Sequence, residues 1–343
     1  MTCEGLAGEV DARVFLDGTV ASWRARSARD GVTAAPGVVW SPAAAEAVAR
    51  LSEPATGVPS LTTGGPVAAW LGEPPGLDWR GGGARVAIDP KERAIPGFEL
   101  PSGPVAVADA WVFPATHWVQ LLWANLLALG PFLWGELASP GRLAWGVLRS
   151  GSIRPEDVAA RVNRLGAGAR VHRSAVVEGC VLGRGARVGA GAVVRGAVLG
   201  DDAIVEELAL VEGCVLGRGA RVQRMGFAKF SVLEDGAAHA GAMQLGVLGR
   251  GAQVKHGAAL MDMAFGQSAR VMAAGSLRPA PHGLCGVCVG DGAVVAQGVR
   301  IAPGRAVPPG VEIHADPDQI VRFVDLPPGT ARAVARGGRL EPF

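Results

Sequence analysis

Two histidines 17 residues apart, His239 and His256, stand among the charged side chains Lys229, Lys255, Asp262, Arg270 and Arg278, and these are the residues whose types and spacing suit chemistry. An imidazole with an ordinary pKa of ~6.5 is neutral at physiological pH and serves as a general base. His239 is the first candidate for that role and His256 the second. The lysines and arginines are candidate contacts for a phosphorylated substrate, with Asp262 beside them. No metal ligand set is expected: His239, His256 and His282 lack the spacing of a three-histidine site. Cys285-Gly-Val-Cys288 has no second Cys-x-x-Cys and reads as small apolar filling. Gly64-Gly65 and Gly81-Gly-Gly83 lack the Lys-Ser/Thr of a phosphate loop.

The elements that must position these groups are visible as a period of six. Val289, Val295, Ile301, Val307 and Ile313 each follow the last by six residues, with a glycine inside every interval. Upstream, Val171, Val177, Leu182, Val188, Val194, Leu199 and Ile204 continue at steps of five or six. The segment EGCVLGRGARV occurs identically at 178–188 and 212–222, an offset of 34 residues, or two turns of 17. Such a period is too long for a helical stripe and too regular for strand alternation, and it predicts stacked β-coils that bury their inner faces only against one another. A stacking of coils at 17 residues places His239 and His256 on neighbouring rungs, about 4.8 Å apart. Arg305 falls where a small inward residue is expected.

These hexads resemble those of the left-handed parallel β-helix, hexapeptide-repeat transferases, over roughly residues 170–315. The resemblance implies a left-handed coil, a homotrimer with sites between protomers, and acyl transfer from acyl-CoA or another acyl thioester to an activated sugar or related small molecule. It implies no tightly bound cofactor. The order of an N-terminal domain, the segment HWVQLLWANLLALG and then hexads is also loosely similar to sugar-nucleotidyltransferase-like proteins, although the Gly-rich pyrophosphorylase signature is absent. Two other readings stand beside acyl transfer: a non-catalytic β-helix scaffold or assembly subunit, and a zinc-dependent hydratase like the hexapeptide carbonic anhydrases, which the absence of His-x4-His disfavours.

Composition fits a mainly β protein: 51 of 343 residues are glycine and 49% are apolar, so the glycines mark corners and not disorder. With 33 basic and 31 acidic residues and no basic run interleaved with aromatics, nucleic acid is not an expected partner. The amino terminus does not read as a secretory signal, and five scattered cysteines argue against a disulfide framework, so the expected location is cytoplasmic. The expected organisation is a small α/β or irregular domain over 1–104, a helical connector over 105–165, the β-helix over 166–315 with an insertion at 265–283, and a tail of loop and short helix over 316–343. Trp118–Trp134 predicts a helix capped by Thr116, ended by Gly130 and buried against the β-helix, with interfacial membrane contact through its tryptophans as the lesser reading.

Overall fold

The computed structural model describes residues 117–342 apart from 155–156, 159–160, 265–266, 274, 281–282 and 322–323, and, before residue 117, only short strands between residues 38 and 114. The expectation for residues 1–104 lies mostly outside the described residues. Strands at Gly103–Ala108 and Val112–Pro114 precede the first described helix, so the helical part begins later than residue 105.

From Arg164 onward the chain forms a parallel β-solenoid with three faces of eight, eight and seven strands. The first coil contributes Arg164–Leu165, Arg170–Val171 and Val176–Glu178 to the first, second and third faces. Each strand is two or three residues long, because six residues per face must also turn a corner. The second residue of each short strand points inward. Leu182, Leu199, Leu216, Leu233 and Leu248 stack in one such column on the first face, none more than 1% exposed. Val289, Val295, Ile301, Val307 and Ile313 continue the inward columns, as their period required. Alanines fill the tighter corners, among them Ala186, Ala203, Ala220 and Ala237.

Two ladders of alternating charge climb the outside. Along one corner Arg184, Asp201, Arg218, Asp235, Arg250 and Asp291 succeed one another. The aspartates of three of these rungs accept the backbone N–H of the arginine one coil below, at 2.7, 2.8 and 3.0 Å. Along the edge of the third face Glu178, Arg195, Glu212 and Lys229 alternate in register, with Arg195 2.8 Å from Glu178 and Lys229 3.1 Å from Glu212. The sequence identity at an offset of 34 thus has a physical counterpart: one coil carries one sign and the next its complement.

The coil departs from 17 residues in three places, one of them the last coil, which takes 18 from Cys288 to Ala306 and from Val294 to Glu312. Gly246 bonds to Ser231 across a coil of 15, because only Ala240 and Gly241 join Ala238–His239 to Ala242–Gln244. Arg250 bonds to Asp291 across 41 residues, because the segment after Leu260 leaves the coil as an antiparallel hairpin, Arg270–Ala273 with Ser276–Pro279. Arg305 keeps the backbone register of its coil, but its guanidinium reaches out to the carbonyls of Arg270 and Pro303, 3.0 and 3.2 Å away. The tail adds a hairpin, Ala333–Arg336 with Arg339–Pro342, to the expected loop and short helix.

Helix α1, Trp118–Leu137, is apolar on all sides and buried from Trp118 to Leu129. His117 caps it instead of Thr116: its Nδ1 accepts from the Val119 N–H at 3.2 Å, and its own N–H donates to Gln120 Oε1 at 3.0 Å. The ring proton is therefore on Nε2, which donates to the Met272 carbonyl on the hairpin at 3.1 Å. At the other end Leu137 packs with Val158, Val162 and Val181 of the second coil. A 20-residue helix is about 30 Å long, and the five coil steps from Val181 to Cys288 rise about 24 Å. So α1 lies along the first face, where the outward residues Val215, Val232, Val247 and Cys288 are buried. Gly130-Pro131 does not end it. Proline forfeits one backbone bond, but burial of the preceding turns outweighs that loss, and the helix closes only where Ala138 N–H reaches Trp134 O. Helix α2, Pro140–Ser150, follows at a bend of 89°. Of the three tryptophans in this segment, Trp118 and Trp123 are buried in the protein and Trp134 is exposed.

Candidate functional site

The outward column of the third face runs Val176, Val193, Leu210, Phe227, Ala242, Ala259 and Arg300. Its side chains grow to Phe227, drop to alanine for two coils, and resume with Arg300. Between Phe227 and Arg300 the two alanines leave the outward face low for two coils, about 10 Å along the solenoid axis, and this low stretch is the candidate recess. Lys255 and the exposed His256 lie on the corner before Ala259, and Asp262 lies just beyond Leu260 on the opposite edge. The hairpin leaves the coil from that opposite edge. Its root is seated on the next coil: Gly304, at φ +72°, brings its Cα so close to Arg270 that a Cβ would stand 2.2 Å from the Arg270 carbonyl oxygen.

Of the residues singled out from sequence, His256, Lys255, Asp262 and Arg278 border this recess or the hairpin above it. Lys255 Nζ is 2.5 Å from Gln253 Oε1. Partial burial raises the Asp262 carboxyl above its ordinary range. Arg278 is exposed on the hairpin, opposite Val271. Arg270 is spent on the hairpin itself, donating from Nη2 to the Leu277 carbonyl at 3.0 Å. Lys229 is held in the charge ladder by Glu212 and lies 5.1 Å from the Phe230 ring.

His239 does not belong with them. It occupies an inward position between Val222 and Val254, is fully buried, and donates from Nε2 to the Phe227 carbonyl at 2.9 Å. Burial depresses its pKa to about 4, and its Nδ1 has no hydrogen-bond partner. A ring sealed inside the prism cannot take a proton from a substrate, so the general-base role expected for His239 is withdrawn. Its stacking on His256 fails as well, because the 15-residue coil pairs His239 with Val254 and leaves His256 two residues farther on, outside. The two histidines share no metal, and no group of three His, Cys, Asp or Glu side chains able to hold a metal occurs among the described residues. His282 lies outside them.

The cysteines behave as filling. Cys180 and Cys214 occupy one small inward corner position, with their thiols 3.1 and 3.3 Å from the carbonyls two residues before, and Ser231 repeats the bond one coil on at 2.7 Å. Burial pushes the two thiols up to about 11 and about 12, and raises Cys285 as well. None of these three thiols is poised as a nucleophile.

Ala242, Ala259, Phe227 and Arg300 were missed as site residues. Their alignment depends on knowing that one coil is two residues short and that another carries the insertion, and a fixed count of 17 misplaces all that follows His239.

No known protein family matches the sequence, and no curated protein matches it. Among solved structures the fold is similar to a Bacillus cereus protein provisionally named an acetyltransferase, at 14% identity and a TM-score of 0.19 over 45% of this chain and 79% of that one. It is also similar to the acetyltransferase domain of PglB from Neisseria gonorrhoeae, at 19% identity and a TM-score of 0.16 over 44% of this chain and 53% of that one. A third is a perosamine N-acetyltransferase mutant from Caulobacter crescentus in complex with CoA and GDP-perosamine, at 16% identity and a TM-score of 0.16 over 40% of this chain and 50% of that one. The chain spans about half the length of the last two. The parallel β-solenoid is established by the chain's own strand pairing.

Proposed function

We propose that this protein is an acyltransferase that moves an acyl group from acyl-CoA to an amine or hydroxyl of an activated sugar or related small molecule. The observation that carries the reading is the alanine-floored recess of the third face, with exposed His256 on one edge and the Asp262 corner and its hairpin on the other. The classes of donor and acceptor are those of the transferases that the hexads resemble. In the reaction His256 takes the proton of the acceptor amine or hydroxyl as that atom attacks the thioester carbonyl. The carbon–sulfur bond breaks, and the proton returns to the departing CoA thiolate. Lys255, on the corner before Ala259, and Arg278, on the hairpin, supply positive charge to the phosphates of donor or acceptor. The same reading carries a homotrimer, in which a neighbouring protomer covers the recess, and a cytoplasmic location, where acyl-CoA is at hand.

The test is release of free CoA thiol from acetyl-CoA in the presence of a panel of nucleotide-linked amino sugars. His256→Ala is expected to lower kcat/KM by about 10²–10⁴ with an unchanged melting temperature. A His256→Ala enzyme as fast as the wild type ends the assignment of the base, and no turnover or thermal shift with any donor or acceptor ends the transferase reading.

A further inference from the structure

Helix α2 is built inside out. In a surface helix of a soluble protein the apolar stripe faces the core and the polar face meets water. Here the body is met by Gly146 and by the half-buried Leu143, which packs against the cluster of Leu137, Val158, Val162 and Val181; a Cβ on Gly146 would meet Val162 Cγ2 at 2.8 Å and Val158 Cγ1 at 2.9 Å. At about 100° per residue, Ala144 and Leu148 lie opposite Gly146, and Trp145 and Val147 flank them. The solvent face of α2 is therefore apolar, with Leu148 74% and Trp145 54% exposed. Beside it Trp134 at the end of α1 is 70% exposed and Ile153 after α2 is 86% exposed.

The charged side chains of α2, Arg142 and Arg149, are both cationic. From Trp134 to Arg154 the chain has three arginines and one carboxylate, a formal +2, and that carboxylate, Glu136, is already paired with Arg164. Arg149 and Arg142 border the apolar face, and the Arg149 guanidinium sits 5.2 Å from the centre of the Trp145 ring. Tryptophans with aliphatic neighbours inside a rim of arginines match the boundary of an anionic bilayer, where indole rings settle at headgroup depth and cations meet lipid phosphate. No single helix among the described residues is long and apolar enough to cross a membrane; α1 and α2 reach that length and composition only as a pair bent by 89°, and α1 is buried in the protein from Trp118 to Leu129.

We propose that the corner formed by the end of α1, helix α2 and the segment to Ile153 docks the protein on an anionic membrane surface, with Trp134, Trp145, Leu148 and Ile153 entering the headgroup boundary. This goes beyond the acyltransferase reading and does not depend on it.

The experiment is co-sedimentation of the full chain with vesicles of phosphatidylcholine containing phosphatidylglycerol, against phosphatidylcholine alone, at low and high salt. Tryptophan quenching by acyl-chain-brominated lipid reports depth. The expected result is binding to the anionic vesicles that weakens with salt, with quenching that Trp134→Phe and Trp145→Phe diminish. Trp145→Glu with Leu148→Glu should lower partitioning at least about tenfold, since both side chains lose their apolar contact with the bilayer, and Arg149→Gln with Arg154→Gln should weaken binding to the anionic vesicles alone. The proposal is overturned if wild-type protein ignores anionic vesicles, or if the double-glutamate variant, folded by its unchanged melting temperature, binds as well as the wild type. It is equally overturned if vesicles are ignored while the wild type self-associates and the variant does not, because the face is then a protein contact.

Discussion

A histidine in the core of a β-coil is tolerated here because its neighbours make room and supply one acceptor. Val222 and Val254 stack above and below His239, while Ala228 holds the inward third-face position where Val177, Val194 and Val211 stand in earlier coils. The Phe227 carbonyl next to that alanine receives the ring N–H. Because the folded pKa is about 4 against an unfolded value of 6.5, the unfolded chain binds the extra proton. The stability contributed by neutral His239 is full above pH 6.5 and falls as pH drops toward 4, by on the order of 3 kcal/mol in all. His239→Leu should flatten this part of the profile. Urea unfolding of wild type and variant at about pH 7.5 and about pH 4.5, on either side of the unfolded pKa, checks it. The gap between the two proteins should shift in favour of the variant at the lower pH, and a constant gap would mean that the ring does not carry the acid sensitivity. His239→Leu should leave acyl transfer near neutral pH intact, the opposite of His256→Ala.

Among the elements, the hairpin depends on the coil it sits upon more than on its own strands. Gly304 is left-handed and its Cα faces the Arg270 carbonyl, so Gly304→Ala meets both a strained φ and a backbone clash that no side-chain rotation relieves. The expected outcome is a loss of more than about 1 kcal/mol and faster proteolysis between 270 and 279, read by limited digestion, while the coils below stay protected. A digestion pattern equal to wild type would show that the root is free to shift. The coils themselves were legible because their inward residues obey a short period that nothing else in a protein imitates. His117 was not, since histidine is an uncommon cap and the partner of its other nitrogen, Met272, is 155 residues away. The run of α1 through Gly130-Pro131 was hidden for a related reason: local breaker signals were outweighed by burial on the first face. The site was half legible. The exposed His256 and the insertion could be read from the chain, but the recess exists only where coils of unequal length bring Ala242 over Phe227 and Ala259 over Ala242.

For the molecule as a whole, the outer ladders act as a check on register that the uniform interior does not provide. Leucine over leucine and valine over valine would stack equally well after a slip of one full coil, whereas the alternating signs of the two ladders would then meet their like. Asp201 is held below the ordinary carboxylate range first by its side-chain and backbone bonds to Arg184, and also by Arg218 on the far side, so each rung feels two neighbours. Reversing a pair therefore does not restore it. Arg184→Asp with Asp201→Arg keeps one opposite-charge contact but sets the transplanted guanidinium against that of Arg218, and the melting temperature should fall below that of the wild type; equality would show that these exposed charges do not report on one another. The alternation also gives the solenoid a parity. Where both ladders run, an inner coil lost singly would bring like charges together on each, while two lost together would leave the signs opposed, a step of two turns. The identical segments at 178–188 and 212–222 stand one such step apart.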